Sequence, residues 1–131
     1  ASNFYGPFRD AVGSSKALNK TDKKTYQMDY KNSDEAIREV AMDINEGADM
    51  IMIKPALPYL DVISKIKKKF NIPIFAYQVS GEFSMLKFGE KEKIIDYEKC
   101  LYESLVCIKR SGASAIFCYG AIDIAKNLKN E

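Results

Sequence analysis

The sequence predicts an α/β fold built on a parallel sheet, and three observations carry that prediction. Apolar runs with strand character start near residues 50, 74 and 115, and each gap leaves room for a crossover helix. The stretches between the runs show helical periodicity, with caps and glycine stops at their ends. No hairpin signal occurs anywhere in the 131 residues.

Taken in order, residues 1–31 carry no long apolar period. Phe4-Tyr5-Gly6-Pro7-Phe8-Arg9-Asp10 is aromatic-rich and broken by Gly-Pro, so it reads as a shaped loop that must be partly covered. The polar stretch from Gly13 to Lys24 has the length of a functional loop such as an active-site lid. Asn32 then caps a helix, with Glu35 in the capping-box position. Ala36, Ile37, Val40, Ala41 and Ile44 form its apolar stripe, and Gly47 stops it.

Met50-Ile51-Met52-Ile53 reads as a strand buried on both faces, ended by Lys54-Pro55. Leu60, Ile63, Ile66 and Phe70 trace the next helix, with Lys65, Lys67, Lys68 and Lys69 as its solvated face. Pro73 to Val79 is a second buried strand, closed by Ser80-Gly81-Glu82, with a short helix expected from Phe83 to Phe88. A longer helix covers about Asp96 to Arg110, with Tyr97, Cys100, Leu101, Leu105 and Ile108 inward and Gly112 as its stop. Ser114 to Tyr119 is the third strand, and a terminal helix begins near Ala121.

Composition narrows the chemistry. Apolar residues make up 47% and charged residues 29%, the balance of a soluble globular chain rather than a disordered one. The net charge is +2 and the lysines are scattered, which argues against a nucleic-acid binder. No apolar run reaches membrane-spanning length and no targeting signal is visible. The chain begins at Ala1, so its true N-terminus is expected upstream. Histidine is absent, and Cys100, Cys107 and Cys118 lack metal-ligand or disulfide spacing, so they read as reduced packing residues. Lysine, tyrosine, serine and carboxylates are left to do any chemistry.

Lys54 sits where a buried strand opens into a loop, the place where reactive groups collect in parallel α/β folds. Loss of water would lower its pKa and free an amine to attack a carbonyl as a Schiff base. Taken alone it reads more readily as a lysine reaching from a strand end to solvent. Tyr77 with Ser80, and then Tyr119, stand at the ends of the next two strands, so all four groups are expected around one cavity. Each hydroxyl also has a purely structural reading.

These residues lie within a wider set of motifs. Phe4 to Asp10, Tyr26-Gln27-Met28, Met52-Ile53-Lys54-Pro55-Ala56, Ala76-Tyr77-Gln78-Val79-Ser80-Gly81-Glu82 and Ile108-Lys109-Arg110-Ser111-Gly112-Ala113 closely resemble the porphobilinogen synthase (5-aminolaevulinate dehydratase) family. The resemblance runs over essentially the whole chain. It implies that residues 1–131 are the C-terminal part of a (β/α)8 TIM barrel: loop and lid in 1–31, then three αβ units and a terminal helix. The implied reaction condenses two 5-aminolaevulinate molecules into porphobilinogen with loss of two waters, through two lysine Schiff bases. Lys54 matches the lysine holding the propionate-side substrate, and the other lysine is expected just upstream of this segment.

The resemblance also implies roles position by position. Ser80 and Tyr119 match the pair that binds the propionate-side carboxylate, Tyr77 packs beside the Schiff base, and Phe8 is a pocket aromatic. Arg9, Gln27 and Lys23 match groups that bind the second substrate's carboxylate. Lys23 replaces an arginine of many members, and Asp22-Lys23-Lys24-Thr25-Tyr26-Gln27 leans towards plastid-type enzymes. A divalent metal, magnesium or zinc, is implied, with active-site ligands outside this segment. Glu39 matches a glutamate that supports a regulatory magnesium, although by itself it reads as an exposed helix carboxylate. A homo-oligomer, an octamer in the family, and a plastid or cytoplasmic setting complete the expectation. Alone, the segment is expected to be inactive. A non-catalytic binding module and another Schiff-base barrel enzyme such as an aldolase remain the competing readings.

Overall fold

The structure, a computed structural model, describes residues 2–13 and 26–128. Lys23 lies outside the described residues. Three parallel strands form a sheet in the order β1 (Ile51–Ile53), β2 (Ile74–Gln78), β3 (Ala115–Cys118). Ile51 pairs with Ile74 and Ile53 with Ala76, while Phe75 pairs with Ala115 and Gln78 with Cys118. Helices α1 (Gly6–Ala11), α2 (Ser33–Asn45), α3 (Leu60–Lys69), α4 (Ser80–Lys91), α5 (Tyr97–Ser111) and α6 (Ala121–Leu128) surround the strands. This ααβαβααβα order with a parallel sheet is the expected α/β class.

Local chemistry explains the helix ends. The Asn32 side chain accepts from the N–H groups of Asp34 and Glu35 at 3.2 and 3.3 Å, capping α2. The second half of the expected capping box is replaced, because the Asn32 N–H donates to the Asp29 carbonyl at 3.0 Å. Gly47 follows α2 at φ 100° and Gly112 follows α5 at φ 122°, the left-handed backbone that glycine adopts without penalty. The Asp96 side chain caps α5 by accepting from the Lys99 N–H at 3.1 Å.

Three readings are corrected. Phe4 to Asp10 is not a loop: a 3-10 helix over Asn3–Tyr5 leads into α1. Gly6-Pro7 opens that helix instead of breaking a chain, since proline in the first turn sacrifices only an N–H without a helical partner. Ser80-Gly81-Glu82 does not close a strand but starts α4, which runs on to Lys91, beyond both ends of the short helix expected over Phe83 to Phe88. The strand carrying Lys54 is buried on one face only, with Ile51 7% exposed and Met52 44%.

That one-sidedness defines the layers. Val40 of α2, Ile63 and Ile66 of α3 and Ile108 of α5 close over Ile51, Ile74 and Ala76 to form the core. Burying each such aliphatic side chain contributes about 1.5–3 kcal/mol. Strand alternation turns Met52, Phe75, Tyr77 and Phe117 to the opposite face. The Phe117 ring lies 5.9 Å from that of Phe75, tilted, and 6.3 Å from that of Tyr77, edge-on, and remains half-exposed.

Candidate active site

Lys54 directly follows β1 and joins Pro55 through a cis peptide bond. It lies one residue beyond the paired Ile53 and Ala76, level with Tyr77 of β2. A cleft of about 580 Å³ opens beside it, lined also by Tyr5, Phe8, Arg9, Gln27 and Glu39. The cleft therefore joins the N-terminal helices, the segment after residue 25, α2 and the end of β1. The Arg9 guanidinium stands 5.3 Å from the centre of the Tyr5 ring. Burial, reinforced by Tyr59 and opposed by Arg9, pushes the Tyr5 phenol up to about 12. The Gln27 Oε1 is buried and has no hydrogen-bond partner among the described residues.

Tyr77, Ser80 and Tyr119 fall outside that lining, so the described residues by themselves do not enclose all four strand-end groups in one cleft. They form a neighbouring group with its own logic. The Tyr77 hydroxyl donates to the Tyr119 hydroxyl at 3.2 Å, and this donation, helped by burial, pushes the Tyr77 phenol up to about 12. The Ser80 Oγ accepts from the Phe8 N–H at 3.2 Å. Ser80 and Tyr119 are thus each engaged as acceptors, which leaves both their O–H groups able to donate. Two donors of this kind suit a carboxylate. Phe83, one turn beyond Ser80 in α4, brings its ring to 5.6 Å from Tyr119.

Lys54 itself is exposed. Among the described residues it is not buried, whereas a desolvated lysine was expected there.

Glu82 was absent from the sequence-based set. Its carboxylate, 1% exposed, accepts from the N–H groups of Val79 at 2.6 Å, Leu57 at 2.7 Å and Ala56 at 3.2 Å. Burial pushes the carboxyl up from its ordinary range, and the three N–H donors pull it partly back. The signal that could have found it is a glutamate three residues after a strand end, the third position of a helix.

Among the described residues no three histidine, cysteine, aspartate or glutamate side chains gather as a metal site. Glu39 lies exposed at the cleft, without such companions. The cysteines are free, two on α5 and one on β3.

Similarity to known proteins is extensive. The family model described as delta-aminolevulinic acid dehydratase matches residues 1–127. A protein of that name from Bradyrhizobium diazoefficiens is 51% identical over 100% of this chain and 37% of its own length. A chloroplastic one from Pisum sativum is 50% identical over 100% of this chain and 32% of its own length. The crystal structure of porphobilinogen synthase from Toxoplasma gondii ME49, in complex with the reaction product porphobilinogen, superposes with a TM-score of 0.91 at 52% identity. It matches 96% of this chain and 36% of that one. The chain thus spans about a third of the length of the proteins it matches, and its fold is that of part of their barrel.

Proposed function

The chain belongs to the delta-aminolevulinic acid dehydratase family, and from that premise we propose that it is the Lys54-bearing part of a porphobilinogen-forming enzyme. The observation that carries the reading is Lys54 at the carboxyl end of a parallel strand, opening on a cleft shared with Arg9 and Gln27. In this reading the Lys54 amine adds to the ketone of one 5-aminolaevulinate. Water leaves, and the substrate is held as an imine. A protonated imine acidifies the neighbouring C–H, which prepares carbon–carbon bond formation with the second substrate. Two waters are lost overall.

The remaining residues bind and orient. Ser80 and Tyr119 donate to the carboxylate of the Lys54-bound substrate, each already polarised by the hydrogen bond it accepts. Tyr77 packs beside the imine, and Phe8 forms an aromatic wall. Arg9 and Gln27, with Lys23 outside the described residues, take the carboxylate of the second substrate. The partner lysine and the ligands of the divalent metal belong to other parts of the whole enzyme. Glu39 supports a regulatory magnesium only together with groups that the described residues do not supply. A homo-oligomer belongs to the same reading, and a plastid or a cytoplasmic setting is compatible with relatives that include chloroplastic and bacterial proteins.

The test is a colorimetric porphobilinogen assay on the full-length enzyme. Wild type is expected to turn over, and Lys54→Ala to lose activity by several orders of magnitude. A Lys54→Ala enzyme with near wild-type turnover would refute the assignment.

A further inference from the structure

Glu82 is a buried carboxylate held by backbone N–H groups of two separate segments. Ala56 and Leu57 belong to the turn that follows Lys54-Pro55, and Val79 precedes Ser80. A glutamate in the third position of a helix needs only the N–H at its own cap. Here Oε2 takes that N–H and also the one of Ala56, while Oε1 reaches Leu57. Burying a carboxylate is costly unless its lone pairs are filled, and three main-chain donors fill them.

We infer that Glu82 is a positioning residue that locks the Lys54-bearing turn to the Ser80-bearing helix start, so that amine and carboxylate donor face one substrate. The inference rests on the reading of Lys54 as a Schiff-base lysine. Glu82 touches no substrate and acts through the two turns it joins. Neutral glutamine in its place offers one acceptor oxygen and sets an amide N–H against a backbone donor. With the oxygen kept on Val79 and Ala56, the Leu57 N–H faces the amide N–H, so the Lys54 turn is loosened while the helix start survives. Misplacing a reacting group by about 1 Å costs on the order of a hundred-fold in rate.

The experiment uses the full-length enzyme mixed with 5-aminolaevulinate and quenched with borohydride, with the Lys54 adduct followed by mass spectrometry against time. Glu82→Gln is expected to fold, to form the adduct on the order of a hundred-fold more slowly, and to lose kcat far more than it raises KM. Glu82→Asp, which keeps the charge but loses reach, is read in the same way should the first variant not fold. Adduct formation at the wild-type rate in a folded variant would overturn the inference alone. So would failure of both variants to fold, since Glu82 would then serve the fold in general. Absence of any Lys54 adduct in wild type would instead overturn the reading of Lys54, and this inference with it.

Discussion

Two hydroxyls at the strand ends are arranged as donors by the bonds they accept: Ser80 from the Phe8 N–H and Tyr119 from the Tyr77 hydroxyl. If they bind a substrate carboxylate, Tyr119→Phe removes one charge-assisted hydrogen bond, worth about 1.5–3 kcal/mol. The KM of the full-length enzyme should then rise roughly ten- to a hundred-fold. An unchanged KM would remove Tyr119 from the binding role. Tyr77 also carries a pH signature. Its phenol rises from 10.0 to about 12 in the folded chain, so the folded state keeps a proton that the unfolded state releases. The stability this contributes is complete below pH 10 and is lost as pH climbs towards about 12. Tyr77→Phe should therefore lose less stability than wild type between neutral pH and about pH 11, measured by circular dichroism. Equal losses would contradict it. The places of Lys54, Tyr77 and Tyr119 at the ends of the strands were legible because a strand end can be read from where an apolar run stops. Glu82 was not, because its partners Ala56 and Leu57 lie 26 and 25 residues away and a glutamate after Ser-Gly resembles a turn.

Helices were legible wherever a cap or a stop accompanied the apolar stripe, as in α2 with Asn32 and Gly47 and α5 with Asp96 and Gly112. The N-terminal helices were not, since six residues cannot show a helical period and Gly-Pro usually marks a turn. Their position depends on α4. A Cβ placed on Gly81 would overlap the Phe4 carbonyl, so glycine lets the 3-10 helix lie directly on the start of α4. Gly81→Ala should push the N-terminal segment away, breaking the Phe8 N–H bond to Ser80 and widening the cleft that holds Arg9. Kinetics on the full-length enzyme should show a higher KM with melting little changed. A wild-type KM would show that this packing does not serve the site.

Across the whole molecule, the sheet is covered on one side by α2, α3 and α5, while Met52, Phe117 and Tyr119 are about half-exposed on the other. The apolar run at β1 could not reveal this, because a strand facing a barrel interior and one facing a second helix layer have the same composition. An uncovered apolar face and free strand edges favour association. The 131-residue chain alone should therefore scatter light as an oligomer or aggregate and make no porphobilinogen, and turnover by a monodisperse monomer would contradict that. The most direct measurement of the central claim, that Lys54 is a covalent substrate lysine, is peptide mapping after borohydride reduction. The full-length enzyme is reduced in the presence of 5-aminolaevulinate and digested. The peptide containing Lys54 is predicted to carry the reduced substrate adduct, and Lys54→Ala to lose it. An unmodified Lys54 in an enzyme that is actively forming porphobilinogen would contradict the account.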